Sequence, residues 1–220
     1  MRYERKFLPP ALSLAEVLAI VRRHPAGFRI AYPDRRIHNV YFDTPGRRHF
    51  FEHVTGAAER CKVRARWYTG PGANGRPPVF EFKYRHGLLG SKESCPTTIP
   101  TAQLAREPAA WFARCRADGL PALVRARLDD VEPVVGNSYL RRYFCSAEGH
   151  YRLTVDWEVE FSDAQRPAGH VSREGAPAVI VEVKYDQADA SGAADIINHL
   201  PFRLDRCSKY VLAVETFESA

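Results

Sequence analysis

In four segments the chain alternates between apolar and polar residues, with the two-residue period of a half-buried β-strand. They are residues 59–68, 79–85, 151–161 and 179–186. In residues 151–161 the odd positions are Tyr, Leu, Val, Trp, Val and Phe, whereas the even positions are Arg, Thr, Asp, Glu and Glu. Successive side chains of a strand point to opposite faces, so each segment predicts one apolar and one charged face.

The charged faces carry an unusual run of cations. Lys62, Arg64 and Arg66 share one face with no acidic residue between them. Like charges at this spacing repel one another unless an anion compensates them. Further strand faces place Glu4 beside Lys6, Glu81 beside Lys83 and Arg85, Arg152 beside Asp156 and Glu158, Glu182 beside Lys184, and Tyr139 beside Arg141 and Tyr143. Together these strands predict an α+β fold, in which an antiparallel barrel has a charged interior and is covered outside by helices.

The sequence also predicts helices that could cover such a barrel. Residues 13–23 begin with Ser13 and Glu16 at the spacing of a capping box and continue as an apolar stripe. Weaker helical segments are residues 47–54, 101–117, 191–199 and 208–215, and Gly/Pro-rich loops are expected at 70–78 and 87–90. No repeat or change of composition divides the chain, which predicts a single domain over residues 1–220.

The composition indicates a globular protein. The chain is 45% hydrophobic and 26% charged, values typical of a globular protein. No apolar run is long enough for a transmembrane segment and no secretory signal is visible, so we expect a cytoplasmic location. The five cysteines are widely spaced without a Cys-x-x-Cys pair, which argues against a zinc site or a disulfide framework.

The net charge predicts an anionic partner. The 32 basic residues exceed the 26 acidic residues by six, which leaves nucleic acid, a membrane surface and phosphate compounds open. Only six of the basic residues are lysines, and a chain so rich in arginine is expected to keep lysine where a compact ammonium is needed. Five of the six lie in or beside the alternating segments; the six are Lys6, Lys62, Lys83, Lys92, Lys184 and Lys209.

Short motifs then suggest a family. They are YERKF at 3–7, VYFDT at 40–44, KVRARWY at 62–68, EFK at 81–83, Lys92, YLR at 139–141, RLTVD at 152–156, EVK at 182–184 and SKY at 208–210. In this order they resemble the polyphosphate-polymerase (vacuolar transporter chaperone) domain of the triphosphate tunnel metalloenzymes, over nearly the whole chain. The resemblance implies a barrel around a basic tunnel that binds triphosphate or polyphosphate, with a divalent ion, Mn²⁺ or Mg²⁺.

The resemblance also implies roles for individual residues. It identifies as phosphate ligands and catalytic cations Lys6, Arg64, Arg66, Lys83, Lys92, Arg152 and Lys209. Further substrate contacts are expected from Lys62, Arg141, Lys184, Arg206 and Ser208. The metal carboxylate is expected to be Glu182, with Glu4, Asp156 and Glu158 as further candidates. Glu81 is expected to orient neighbouring cations.

The expected reaction is transfer of the γ-phosphate of ATP to a growing polyphosphate chain, because many cations and few acids suit phosphoryl transfer. Hydrolysis of triphosphate by water is the alternative, and a binding domain that serves a partner protein is another. The first strand has Arg5 between Glu4 and Lys6 and lacks the longer acidic motif of hydrolytic relatives, which favours the polymerase. Nucleic acid is not expected, because Phe80 and Phe82 lie opposite Lys83, where bases could not stack beside the bound backbone.

Three other features have simpler interpretations. His49 and His53 have helical spacing but no third ligand, so a packing or solvated role is favoured over metal binding. Asp43 is interpreted as a turn-forming cap after a strand. Ser208 is expected to cap the last helix and, with Lys209, to contact phosphate at that helix start.

Overall fold

One antiparallel sheet of nine strands and six α-helices form the fold in the computed structural model, which describes residues 2–70, 76–87, 89–101, 104, 106–166 and 170–218. The strands are β1 (Arg2–Phe7), β2 (Arg29–Asp43), β3 (Glu59–Thr69), β4 (Val79–His86), β5 (Leu89–Pro96), β6 (Glu132–Cys145), β7 (Tyr151–Asp163), β8 (Val171–Ser172) and β9 (Val179–Asp186). The helices are α1 (Leu14–Arg23), α2 (Arg48–Val54), α3 (Pro108–Arg114), α4 (Ala122–Ala126), α5 (Ala193–Asn198) and α6 (Lys209–Glu218).

The sheet is curved, so that its charged face is concave. Its strands follow the order β1-β9-β7-β6-β2-β3-β4-β5, with β8 beside β7. Although β1 and β9 lie at the opposite end of this order from β4, Glu4 and Lys184 are close enough to Lys83 to change its pKa. The α+β fold with an antiparallel sheet is therefore confirmed. Over the described residues the hydrogen-bonded order ends at β1 and β5, and curvature rather than a ladder between them encloses the interior.

Helices cover the outer, apolar face as the strand periodicity requires. The apolar stripe of α1 packs Val17 and Val21 against β7 and β9. The predicted capping box is present, because Ser13 Oγ accepts from the Glu16 amide and Glu16 accepts from the Ser13 amide. On the other half of the sheet, α3 packs Trp111 against Phe80 of β4. Helix α3 starts at Pro108, later than the segment 101–117 predicts, and a π-helical turn (Cys115–Gly119) follows it.

A β-bulge in β7 changes which residues face the interior. Glu158 has a φ of 49°, and the pairing of β7 with β6 shifts register at this point. Before the bulge, Leu153 and Val155 pack on the outer face with α1, whereas after it Val159 and Phe161 pack with α6 on the inner face. The prediction of uninterrupted alternation through residue 161 is therefore wrong beyond residue 157, since an extra residue in one strand exchanges the two faces.

Helix α6 lies inside the curved sheet. Its Tyr210, Ala213 and Val214 are buried against Ile37 and Phe161 in an apolar cluster that also includes Ile180. The start of α6 consequently points Lys209 towards the charged residues of the interior. No helix of the described residues is long and apolar enough to cross a membrane. The Gly/Pro-rich loop expected at 70–78 falls largely outside the described residues.

Candidate functional site

The inner face carries a concentrated excess of positive charge. We call this set the basic channel; its ten basic side chains are Lys6, Lys62, Arg64, Arg66, Lys83, Lys92, Arg141, Arg152, Lys184 and Lys209, and its four acidic side chains are Glu4, Glu81, Asp156 and Glu182. Ten cations against four carboxylates leave an excess of six, as large as the formal net charge of the whole chain. Strand alternation places all of these side chains except Lys209 together, because every second residue of each strand faces inward; Lys209 is the first residue of α6.

One group of charges joins β6, β7 and α6. The Arg141 guanidinium donates from Nε and Nη2 to the two oxygens of Asp156, at 2.5 and 2.7 Å. Lys209 Nζ donates to Asp156 Oδ2 at 2.5 Å and lies 4.4 Å from the centre of the Tyr139 ring. Asp156 is completely buried. Although burial raises the pKa of this carboxyl, attraction to Arg141 and Lys209 lowers it overall, so Asp156 holds both cations in place.

A second group lies where β1 meets β9. Glu182 accepts from Lys184 Nζ at 2.8 Å, and its carboxylate is 3.6 Å from Lys6 Nζ. Glu4 lies 3.2 Å from the same Lys6 Nζ and 3.8 Å from Lys184 Nζ. Burial raises the pKa of Glu182, but the surrounding cations Lys184, Lys6 and Arg141 lower it well below the usual range. Two lysines thus lie between two ionised carboxylates.

A third group centres on Glu81 of β4. Its carboxylate accepts from Arg64 Nε at 2.8 Å and Nη2 at 2.5 Å, and from Lys92 Nζ at 2.9 Å. Arg66 Nη1 is 3.8 Å from the same carboxylate. Burial raises the pKa of Glu81, yet Arg64 and Arg66 lower it overall. The expectation that Glu81 orients neighbouring cations matches this geometry.

Lys62 and Lys83 differ from the other cations of the channel. Within the part of the chain that the structure describes, neither forms an ion pair with a carboxylate, and Lys62 Nζ donates only to Ser208 Oγ, at 3.0 Å. Burial, followed by repulsion from Lys6 and Arg64, lowers the pKa of Lys62 to about 7. Repulsion from Arg64, followed by burial, lowers the pKa of Lys83 well below its usual value. Two half-buried lysines therefore lack a carboxylate partner, and this environment disfavours their charged form.

The remaining predicted site residues lie at the borders of the channel or outside it. Ser208 accepts from the Val211 amide at 3.4 Å, the bond expected of a helix cap. Arg152 faces inward beside Lys184 but is exposed. Arg206 is exposed and lies near Arg60, whose pKa it helps to lower after burial and Arg85. Glu158 lies apart from the other predicted metal candidates, because the bulge turns it towards solvent, where it pairs with Arg36.

The donor set that could hold a divalent ion is small. Among the described residues, no three His, Cys, Asp or Glu side chains come together as a metal site. Asp156 is already engaged by two cations, whereas Glu4 has 36% of its side chain exposed and lies beside Glu182. Mg²⁺ commonly binds through one or two carboxylates and completes its shell with water and phosphate oxygens. Glu4 and Glu182 could supply two such carboxylates only if Lys6 and Lys184, which lie between them, turn towards phosphate when the ion binds.

Sequence reasoning missed two neutral residues of the channel, Asn39 and Asn137. Arg66 Nε donates to Asn39 Oδ1 at 2.8 Å, and Asn39 Nδ2 donates to Asn137 Oδ1 at 2.7 Å. Arg66 Nη2 also donates to the Tyr139 hydroxyl at 3.3 Å. Both asparagines are buried and lie opposite each other on β2 and β6. Neutral residues carry no charge pattern, so only the inward-facing parity of Asn39 and Asn137 could have indicated them.

Asp43 has a larger structural role than a local turn. It is completely buried, and its carboxylate accepts from the amides of His49 at 2.8 Å and Phe50 at 2.9 Å, as well as from the Tyr210 hydroxyl. It therefore joins the start of α2 to α6. His49 is buried beside Asp43, in line with a packing role rather than a metal site.

Comparisons with known proteins agree with this architecture. The sequence profile of the VTC domain family matches residues 1–218. The PH1819 protein of Pyrococcus horikoshii OT3 has a similar structure, with a TM-score of 0.56, 15% identity and a match over 98% of this chain and 99% of that chain. A candidate adenylate cyclase from Vibrio parahaemolyticus matches with a TM-score of 0.56 and 10% identity, over 96% of both chains. HpAC1 from Hippeastrum is described as having a dominant triphosphatase activity. It matches with a TM-score of 0.57 and 16% identity, over 98% of this chain and 96% of that chain. At these identities the similar structures show the fold alone. No curated protein sequence matches the chain.

Proposed function

This chain belongs to the VTC domain family, and on that basis we propose that its basic channel binds ATP and a polyphosphate chain and transfers the γ-phosphate of ATP to the end of that chain. The γ-phosphoryl bond to ADP breaks, a new phosphoanhydride bond forms at the chain end, and ADP leaves. The triphosphatase activity described for HpAC1, a protein of the same fold, supports a triphosphate as the ligand.

The observation that carries this proposal is the pair of uncompensated lysines. A charged ammonium without a counter-charge is unfavourable here, which is why the pKa values of Lys62 and Lys83 are lowered; an entering anion supplies the missing charge and favours their protonated, phosphate-binding form. A phosphate chain provides about one negative charge per unit and many acceptor oxygens. An excess of six cations in a confined channel matches a multiply charged linear anion better than a single phosphate group.

The channel residues can perform three tasks in the transfer. Arg64 and Arg141 are rigidly held by Glu81 and Asp156, so they present fixed guanidinium groups to phosphate oxygens. Lys83, which has no carboxylate partner among the described residues, is free to pair with the transferred group and to become charged as it does so. Phosphoryl transfer depends mainly on such positioning and charge neutralisation. A Mn²⁺ or Mg²⁺ ion held by Glu4 and Glu182 would neutralise further charge on phosphate oxygens.

Phosphorus NMR of the purified chain tests the reaction. With ATP and Mg²⁺ we expect a growing resonance of internal polyphosphate units together with release of ADP. A parallel sample holds inorganic triphosphate and Mg²⁺; Mg²⁺ is used because paramagnetic Mn²⁺ broadens these resonances by itself. Orthophosphate accumulating in either sample without growth of the internal-unit resonance would show hydrolysis instead of transfer. Resonances that broaden relative to a protein-free sample without any conversion would show binding without chemistry, and resonances that the protein leaves unchanged would refute the channel as a phosphate site.

A pair of variants tests the site separately from the reaction. Lys83→Met removes a cation that has no acidic partner, so the fold should be retained while affinity for inorganic triphosphate falls at least tenfold. Arg22→Met removes the same charge from the exposed end of α1 and serves as the control. Equal affinity of both variants for triphosphate would contradict the assignment of the channel.

A further inference from the structure

An aromatic and cationic cluster lies at one open end of the channel. Arg35 lies over the ring of Tyr32, 5.4 Å from its centre, and over the ring of Tyr143, at 6.0 Å. The two rings meet edge to face at 5.8 Å. We call Tyr32, Arg35 and Tyr143 the aromatic mouth. Its outermost member, Tyr32, is 56% exposed, although it is a large apolar ring.

The aromatic mouth continues directly into the basic channel. Arg141 lies over Tyr143 on one side and over Tyr139 on the other, at 5.9 and 5.3 Å. Along β6, Tyr143 is two residues from Arg141, a rise of about 7 Å. Exposure increases in the same direction, from the buried Arg141 to the exposed Tyr32. A nucleoside triphosphate whose α-phosphate lies at this end of the channel would place its nucleoside at the aromatic mouth.

A β-bulge in β2 forms this arrangement. Tyr32 pairs with Tyr143 and Arg35 pairs with Arg141, so Pro33 and Asp34 lie opposite the single residue 142. Residues three apart in a regular strand face opposite sides, and the extra residue brings Tyr32 and Arg35 to the same side. Bulges of this kind commonly re-aim side chains next to functional sites.

The bulged segment is held in place from the opposite side of the sheet. Arg142 donates from Nε and Nη2 to the two carboxylate oxygens of Asp34, at 2.8 and 2.6 Å. The Nε of Arg35 is buried and, within the described residues, has no hydrogen-bond partner. The cluster thus combines a fixed backbone, an exposed aromatic ring and a guanidinium beside it, which are groups on which a heterocyclic base stacks.

We propose that the aromatic mouth binds the base of a nucleoside triphosphate whose phosphates enter the basic channel. This inference rests on the proposed function and adds that the donor is a nucleotide recognised through its base, not only through its phosphates. The base stacks on Tyr32, and Arg35 adds a cation beside the stacked rings.

Equilibrium binding in the presence of EDTA, which prevents turnover, tests the inference with two ligands. For Tyr32→Ala we expect affinity for ATP to fall about tenfold, the size of one base–aromatic stacking contact. Affinity for inorganic triphosphate should change less than about twofold. Tyr32→Phe keeps the ring and should bind ATP like the wild type. Phe51→Ala, which removes an aromatic ring of equal exposure on α2, should bind both ligands like the wild type.

The outcomes separate the two proposals. Suppose that the wild type binds inorganic triphosphate, and that Tyr32→Ala either weakens the binding of ATP and of triphosphate equally or changes neither affinity. The aromatic mouth then does not bind the base, while the proposed function stands. If the wild type binds neither ligand, the proposed function fails and this inference fails with it. A loss of ATP affinity in Tyr32→Phe as large as in Tyr32→Ala would refute stacking, because the phenylalanine ring retains the stacking surface.

Discussion

Replacing Lys62 should change how ATP binding depends on pH. The pKa of this ammonium is about 7 in the free channel, because of burial and of repulsion from Lys6, Arg64 and Arg60, with Glu4 opposing the effect. A bound phosphate chain provides the missing negative charge and should return the pKa towards the ordinary lysine value of 10.5. Binding then takes up a proton wherever the free lysine is neutral.

The magnitude follows from the two pKa values. At pH 8 a group with a pKa of about 7 is roughly 10% protonated when free and almost fully protonated when its pKa is restored, an uptake of about 0.9 proton. Affinity should therefore weaken as pH rises, by about 50-fold between pH 7 and pH 9 from this group alone. The full shift from about 7 to 10.5 corresponds to about 5 kcal/mol of coupling between proton and ligand.

Calorimetric titration of ATP at pH 8, in EDTA and in two buffers of different ionisation enthalpy, measures the uptake. Lys83 also has a lowered pKa and contributes its own uptake, so the informative quantity is the difference between wild type and Lys62→Arg. The guanidinium remains charged at every pH used and should abolish the contribution of position 62 while retaining affinity. Lys62→Met should also lose the proton uptake of position 62, and it should bind ATP at least tenfold more weakly at pH 7.

Arg22→Met, which lies outside the channel, should show the uptake of the wild type. The reasoning is refuted if Lys62→Arg takes up as many protons as the wild type. In that case Lys62 would already be charged in the free channel, and its lack of an acidic partner would have no electrostatic consequence.

Three further predictions concern the fold that supports the channel. The pKa values of Glu81 and Glu182 are lowered in the folded state, so their stabilising contribution is present above about pH 4.5 and is lost as pH falls below it. Urea midpoints should therefore be similar at pH 7 and pH 5 and lower at pH 3.5, and Glu81→Gln should reduce the decrease between pH 5 and pH 3.5. Asp43→Ala removes the acceptor of two buried amides and should lower the free energy of unfolding by about 3 kcal/mol in urea titrations, and a loss below about 1 kcal/mol would contradict its role. Gly136→Ala would place a Cβ 2.4 Å from Ser162 Oγ and should cost about 1–3 kcal/mol in the same assay; an unchanged midpoint would show that the serine simply rotates away.

Much of the architecture could be predicted from local patterns. The capping box of α1 depends on residues three apart, and the parity of Lys62, Arg64 and Arg66 depends on the geometry of one strand. Such features are determined within a few residues, so the sequence alone specified the charged and apolar faces, most of the helices and the cationic nature of the interior.

The distribution of counter-charges depended on the tertiary structure. Arg64 and Lys62 are two residues apart on one strand, yet Arg64 is held by Glu81 and Lys62 has no acidic partner among the described residues. The difference arises because the partner strand offers a carboxylate to one and Lys83 to the other.

The bulges at Tyr32 and Glu158 likewise depend on the register that each strand adopts with its neighbours, which no local pattern encodes. The alternation of a single strand shows which residues share a face. Only the assembled sheet, with α6 inside it, determines which buried charges are neutralised and which are left for a ligand, because these electrostatic energies depend on distances between residues far apart in the chain.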